Sequence, residues 1–361
     1  MTISLSHLTI KPIHNCFHRC PYCISRYQLL KNSSDVMLGV EDWARVFSEA
    51  DRLGVEYLDI SGGEPILYKG LIAIIWEAKR HGWFVSLNSS GWNLANIQEE
   101  LINVSLDQVV ISIVSLKPKL QDKLRCRNGS SKKLIESLKL LKTKSIRLIL
   151  HFLINKYNYT ELPDLIDFSF SNKANGLSLI YPEDDHVSKN LLMNDSEISH
   201  FKSEILPESL KRYQSYRPKL DISHQNLSSL FENNENNKIY SQGKYWKNMS
   251  QVLSNCTRPN MFMLIYPNGN VLPCNGVEYS HVPIVGNVLR QNLQDIFYGN
   301  GYNDFRNKRV EYCINCPVKC HTGIAIKTAD NPPYAAPVIR KVPENLPQER
   351  PLVPKKYLYV Q

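Results

Sequence analysis

The stretch Cys16-Phe17-His18-Arg19-Cys20-Pro21-Tyr22-Cys23 places three cysteines in one short loop, with an aromatic residue directly before the third. Thiolates at such spacing can hold three irons of a four-iron cubane and leave the fourth iron for a small ligand. The same residues also admit a zinc knuckle, with His14 or His18 as the fourth donor, or a set of redox thiols. The loop alone does not choose between these, and its surroundings must.

Upstream, residues 7–13 read as a strand that delivers the chain into the loop. Downstream, apolar positions at helical spacing mark 40–53, with Gly54 as a stop. A strand at 55–60 ends in Ser61-Gly62-Gly63-Glu64-Pro65. There follow a helix near 69–81, a strand at 83–88 with the turn Ser89-Ser90-Gly91, a short helix near 94–103 and a strand at 107–115. A helix at 130–144, capped by Ser130 or Gly129, precedes a strand at 146–154, a helix near 160–170 and a strand at 177–181. Strands alternating with helices imply a parallel sheet covered by helices. The runs at 107–115 and 146–154 are almost continuously apolar, as a sheet buried on both faces requires. Periodicity does not say whether that sheet is open or curved.

The CxxxCx(aromatic)C loop, with a Gly-Gly-Glu-Pro turn one strand later, resembles the signature of the radical SAM enzymes. On its own the turn is a weak signal, because Gly-Gly and Pro mark ordinary turns. The resemblance implies an α/β fold, a partial (β/α)6 TIM-like barrel with functional loops at the C-terminal ends of its strands. It implies a [4Fe–4S] cluster on Cys16, Cys20 and Cys23 whose open iron chelates S-adenosylmethionine (SAM). Reductive cleavage of SAM would give a 5′-deoxyadenosyl radical that abstracts hydrogen from a substrate. Gly62, Gly63 and Glu64 would bind the methionine amino group. Ser89 and Ser90 stand where many relatives have Thr-Asn, and Ser112 where a serine often lies near the ribose. Asn155 and Asn158 follow the fifth strand and Glu183 ends the sixth; each reads equally well as an ordinary polar loop residue. The segment Ser112–Pro118 lacks the aspartate that many relatives carry there, which leaves contacts in that region open.

A second cysteine group comprises Cys256, Cys274, Cys313, Cys316 and Cys320. Residues 261–274 read as a hairpin turning at Pro267-Asn268-Gly269, which could bring Cys256 and Cys274 together. This block resembles the SPASM/twitch domains, small cysteine-rich modules of hairpin and helix that carry auxiliary iron–sulfur clusters. Cys256, Cys274, Cys313 and Cys316 would then hold one auxiliary [4Fe–4S] cluster, while spacing alone also permits a four-thiolate zinc site. The group falls short of a full SPASM set, so one auxiliary cluster is the economical count, with Cys320 left over or competing with Cys316. Cys126, between Arg125 and Arg127, is also unassigned. In radical SAM epimerases a cysteine returns a hydrogen atom to the substrate; Cys126 or Cys320 could do so here, or be free structural cysteines.

The chain of 361 residues is 43% hydrophobic, enough to bury a sizeable core. The expected division is a core at 1–185, a polar connector at 186–250, the auxiliary-cluster region at 251–325 and a proline-rich tail at 326–361. No apolar run reaches the roughly eighteen residues of a membrane span, and the N-terminus lacks a secretory pattern. The nine cysteines are therefore expected in a reducing cytoplasm, where grouped spacing argues for metal rather than disulfides. The net charge of +9 comes from scattered lysines, with modest clusters at Lys132-Lys133 and Lys355-Lys356. A basic stripe with interleaved aromatics is missing, so nucleic acid is not an expected partner. Three functions remain: a peptide (RiPP) maturase, a dehydrogenase or epimerase of a sugar or aminocyclitol, and a non-catalytic zinc-binding interaction protein. The first strand starts near residue 7, which leaves no room for an N-terminal leader-recognition domain in the first reading. The enzyme readings call for a peptide or small-molecule substrate and an electron donor of flavodoxin or ferredoxin type.

Overall fold

The structure, a computed structural model, describes residues 3–23, 36–141, 145–182, 187–216, 220–222, 256–274, 283–312 and 341–351. β1 (His7–Ile10) pairs in parallel with β2 (Tyr57–Ile60), and β3 (Phe84–Ser89), β4 (Gln108–Ile113), β5 (Arg147–Leu153) and β6 (Gly176–Ile180) follow in order, each parallel to the last. The reason lies in the period-2 pattern. Leu58, Ile60, Leu87, Ile111, Leu150 and Phe152 all belong to the main hydrophobic cluster shared with the helices. Their strand neighbours Asp59, Asn88, Ser112 and His151 therefore face the other side, into the barrel. The fold is the expected partial parallel barrel.

The sheet is longer than the six expected strands. β7 (Asp221–Ile222) extends it beyond β6. On the opposite side β1 pairs in parallel with β8 (Phe262–Ile265), which turns back antiparallel onto β9 (Asn270–Leu272), and β9 pairs with β10 (Gly286–Asn287). The expected hairpin thus exists, and it is built into the main sheet. Its turn needs Gly269, at φ +82°, and Asn287 secures it by donating to the Asn268 carbonyl at 3.1 Å.

Helices cover the outer face. α1 (Val40–Arg52) buries Trp43, Val46, Phe47 and Ala50, an i, i+3, i+4, i+7 stripe. Removing a side chain as large as Trp43 or Phe47 from water contributes about 1.5–3 kcal/mol. Its N-terminus is closed by Asp42, whose carboxylate accepts from the Gly39 amide at 2.8 Å. α2 (Leu71–Arg80) is buried from Leu71 through Lys79. The described part of the proline-rich tail explains this: Leu346 packs on the core, and Trp76 Nε1 donates to the Pro347 carbonyl at 2.7 Å. Arg350 pairs with Glu41 and Glu77. The buried Lys79 ammonium is neutralised by Asp107 at 2.6 Å.

α3 (Gln98–Asn103), α4 (Pro118–Arg125), α5 (Ser130–Leu141) and α6 (Leu162–Ser171) complete the β/α alternation. α4 was not expected. Beyond β6, α7 (Asp195–His200) starts on a capping box between Asn194 and Glu197, and α8 (Leu206–Tyr216) lies against α6. Arg212 of α8 bridges Asp164 and Asp167, and the Tyr216 and Phe170 rings stack at 4.1 Å. This part of the stretch expected to be a polar connector therefore packs on the barrel; residues 223–255 lie outside the described residues. Further on, α9 (Leu293–Tyr298), α10 (Asn300–Asn307) and α11 (Arg309–Tyr312) follow the hairpin. The Leu293 amide donates to Glu49 at 2.7 Å and Arg45 donates to the Val288 carbonyl at 2.6 Å, so α1 holds this region against the core.

Candidate functional site

The loop after β1 and the turn after β2 are joined by their backbones. The Gly63 amide donates to the Ile13 carbonyl at 3.0 Å and the Glu64 amide to the Asn15 carbonyl at 2.7 Å. A side chain at Gly63 would place its Cβ 2.0 Å from the Asn15 oxygen and 2.4 Å from the His14 oxygen. Only glycine allows this approach. Gly62 adopts φ +128°, and its Cβ would lie 2.9 Å from the Ile13 oxygen.

Glu64 is 1% exposed and turns its carboxylate towards the end of β3. It accepts from Ser89 Oγ at 2.8 Å, from the Ser90 amide at 2.9 Å and from Ser90 Oγ at 2.5 Å. Burial pushes its pKa up, and these serine bonds pull it back. Five sequence-predicted residues, Gly62, Gly63, Glu64, Ser89 and Ser90, thus form one constellation beside the cysteine loop. Ser112 lies on the inner face of β4, half-buried, and its carbonyl accepts from Arg125 Nη2 at 2.6 Å.

Asn155 and Asn158 do a different job. Both are fully buried. Asn155 donates to the Leu153 carbonyl at 2.9 Å and accepts from the Tyr157 amide at 2.9 Å. Asn158 donates to the Val114 and Leu153 carbonyls. Asn155 braces the turn after β5 from within, and Asn158 ties it to the end of β4. Glu183, Cys313, Cys316 and Cys320 lie outside the described residues.

Cys20 is buried, and Cys16 and Cys23 are half-buried. Burial, then the Glu64 carboxylate, push the Cys16 thiol up to about 12, with smaller contributions from Cys23 and Cys20. A thiolate there needs a cation to balance it, as a metal ligand has. Part of the balance is already in place: the buried Arg125 guanidinium lies 3.8 Å from the Cys20 sulfur. Buried polar atoms without a hydrogen-bond partner gather at this loop, namely both ring nitrogens of His14, Nδ1 of His18 and Nε of Arg125. Such atoms are rare in folded proteins unless an ion or ligand answers them. Among the described residues no three His, Cys, Asp or Glu side chains stand as a single metal ion would need them. Three cysteine thiols on one loop, with orphaned polar atoms around them, suit a cubane that takes each thiolate on a separate iron. The donor set fits the cluster.

Sequence reasoning passed over several residues here. Trp92, two positions after Ser90, meets the His18 ring edge-on at 5.6 Å and Phe17 at 6.1 Å. In the sequence Arg125 and Arg127 stand out only as neighbours of Cys126. Cys126 itself is exposed, caps α4 at φ 49° and directs its thiol at the Lys123 carbonyl, 3.6 Å away. The inner wall below the loops carries Asp59, which accepts from Asn88 Nδ2 at 2.6 Å, and His151, whose Nδ1 lies 2.9 Å from Ser178 Oγ. Asp59, Asn88 and His151 are half-buried on the inner face of the sheet.

In the C-terminal region Cys256 and Cys274 flank the hairpin. Burial raises the Cys256 thiol, while Arg258 and Arg309 act in the opposite sense. Cys274 packs, with Tyr312, against the cluster formed by Phe262, Leu264, Tyr266, Leu272 and Phe305.

A partial parallel barrel with a three-cysteine loop and a Gly-Gly-Glu turn at its C-terminal rim defines an iron–sulfur protein of the radical type. Residues 10–169 match the family model of the radical SAM superfamily, and residues 256–317 that of SPASM, an iron–sulfur cluster-binding domain. The chain belongs to the radical SAM superfamily and carries a SPASM domain, so [4Fe–4S] clusters and SAM are its cofactors. It is 24% identical over 313 residues to the PqqA peptide cyclase of Rhizobium meliloti (strain 1021), covering 85% of this chain and 78% of that one. SuiB of Streptococcus suis bound to SAM superposes with a TM-score of 0.65 at 19% identity, covering 89% of this chain and 73% of that one. The enzyme anSMEcpe with bound AdoMet gives 0.63 at 15% identity, covering 86% of each chain. No helix among the described residues is long and apolar enough to cross a membrane.

Proposed function

We propose that this protein is a peptide-modifying radical SAM enzyme, a maturase that removes hydrogen from a peptide side chain and leaves an oxidised or cross-linked product. The observation that carries the reading is the joint between the two motifs: the Glu64 amide on the Asn15 carbonyl, with Gly63 filling the only space available. In this reading Cys16, Cys20 and Cys23 hold the SAM-binding cluster, and Cys256 and Cys274, with Cys313 and Cys316, hold one auxiliary cluster. Bound there, the first cluster and SAM supply a 5′-deoxyadenosyl radical.

The chain's own residues do the remaining work. The turn Gly62–Glu64 and Ser89–Ser90 position the amino end of SAM. Arg125, held on the Ser112 carbonyl, brings positive charge to the Cys20 side of the loop. The polar inner wall at Asp59, Asn88 and His151 orients the substrate, and the walls of the barrel keep water from the reacting atoms. Support for a peptide comes from the relatives: a PqqA peptide cyclase by name, SuiB seen with its precursor peptide SuiA, and anSMEcpe seen with a Cp18Cys peptide. The electron donor is of flavodoxin or ferredoxin class.

The test is anaerobic reconstitution followed by incubation with SAM, reductant and candidate peptides. The reading expects 5′-deoxyadenosine and a peptide lighter by two hydrogen atoms, both abolished in Cys16→Ala. Deoxyadenosine formation that persists in Cys16→Ala sinks the cluster assignment. SAM cleavage stimulated by sugars or aminocyclitols and by no peptide sinks the substrate class.

A further inference from the structure

Between Cys16 and Cys20 the chain makes three non-ligating residues, Phe17, His18 and Arg19, and each is gripped from outside the loop. The Arg19 amide donates to the Arg125 carbonyl at 3.3 Å. His18 Nε2 lies 3.1 Å from Ser130 Oγ. The Phe17 carbonyl accepts from Arg127 Nη1 at 3.2 Å. The same Arg127 guanidinium lies 4.4 Å from the centre of the Trp92 ring and 6.0 Å from that of Phe17. Trp92 is itself fixed, because its amide donates to Ser90 Oγ at 3.3 Å, the hydroxyl that also binds Glu64.

We infer that Arg127 and Trp92 form a clasp that positions the cysteine loop for iron, acting through Phe17 and His18 rather than by touching the cluster. This rests on the assignment of Cys16, Cys20 and Cys23 as cluster ligands. Three facts favour a dedicated device over incidental packing. Arg127 is exposed and contributes nothing to the hydrophobic core, yet it sits over the Trp92 ring and hydrogen-bonds the loop at once. A guanidinium can do both, whereas an ammonium has no flat face to lay on a ring. The grip falls on the segment between two ligating sulfurs, beside the bonds that hold the Arg19 amide and the His18 ring. And through Ser90 the clasp is continuous with the turn read as the SAM site, so the loop and the SAM side are held by one set of contacts.

The clasp therefore slows the opening of the loop that releases iron. The experiment follows chelator-driven iron loss from the reconstituted full chain. The phase belonging to the first cluster is the one absent from a variant with Cys16, Cys20 and Cys23 all changed to Ala. Arg127→Ala and Trp92→Ala are each expected to speed that phase about threefold, the scale of an exposed cation–π contact. Trp92→Phe should recover part of the loss, because it keeps a ring under the guanidinium. The double variant should be slower than the product of the two single effects, since the contact between Arg127 and Trp92 is already lost in either one. The second phase should not move. Arg127 is exposed, so its replacement leaves the fold intact and keeps the test open even if Trp92→Ala destabilises the chain. Unchanged first-phase rates in Arg127→Ala, or strictly multiplicative effects of the two changes, overturn the clasp and leave the cluster assignment standing. A wild-type chain with no phase dependent on the three cysteines overturns the assignment and the clasp with it.

Discussion

Ser90 holds Glu64 twice, through its amide at 2.9 Å and its hydroxyl at 2.5 Å. The end of β3 is thereby tied to the turn after β2, and that turn in turn to the cysteine loop. Ser90→Ala removes one donor from a buried carboxylate and is expected to cost about 1–3 kcal/mol in denaturant unfolding. SAM binding, followed by equilibrium dialysis of the reconstituted protein, should weaken in parallel. A variant with native stability and native SAM affinity would remove Ser90 from the site.

Gly63→Ala tests the joint itself. The added methyl group would meet two backbone oxygens, and neither can move without shifting the loop. Overpacking of this kind costs about 1–3 kcal/mol or more. The expected signature is selective: iron at the first site falls sharply while far-UV circular dichroism stays near native. Full iron loading of Gly63→Ala would contradict the described approach of the two segments.

Two inner-wall groups give the stability opposite slopes in acid. Burial pushes Asp59 up to about 6, against the pull of the Asn88 hydrogen bond and of Arg258 and Lys11. Its folded-state pKa exceeds the unfolded value of about 3.9. Its contribution is therefore full below that value and is lost as pH rises towards 6. Burial, with the charge of Arg125, pushes His151 down to about 4. The unfolded chain takes up this proton near pH 6.5 and the native chain does not, so stability falls as pH drops from about 6.5 to 4. Asp59→Asn should thus make the protein more sensitive to acid between pH 6 and 4, and His151→Gln less sensitive. Urea midpoints of the apo-protein across this range check the signs; parallel profiles for the three proteins would refute both.

The capping box at α7 makes a simpler prediction. Asn194 accepts from the Glu197 amide at 2.9 Å and Glu197 answers at 2.8 Å. Asn194→Ala should cost about 1 kcal/mol. Iron content should not change, because the bonds lost are those between Asn194 and Glu197 at the start of α7.

The barrel and the heart of the site were legible in the sequence for a physical reason. Parallel strands buried on both faces must be apolar runs, and a cluster ligand set must be cysteines at short spacing. Leu58, Ile60, Leu150 and Phe152 announce the first, and Cys16, Cys20 and Cys23 the second. Other parts were not legible, or were passed over. Pro118 at the first turn of α4 is a helix-start signal, yet the following KLQDKLR is too polar to show an apolar stripe. The Asn194–Glu197 pair announces α7 in the same way. Asp59 and Asn88 carry no signal of their own, because alternation says which face a residue takes and not what that face encloses. Phe262–Ile265 reads as a hairpin strand, and no local pattern says that its other edge meets β1.

That last pairing bears on how the protein is made. His7 lies beside Phe262 and Ile10 beside Ile265, so one edge of β1 has no partner until a segment some 250 positions later has left the ribosome. Until then the growing barrel presents an open strand edge, the kind of surface on which chains pair wrongly. The residues that match the radical SAM family thus leave one edge of β1 for the SPASM region to cover, and its hairpin continues their sheet as well as carrying cysteines of its own.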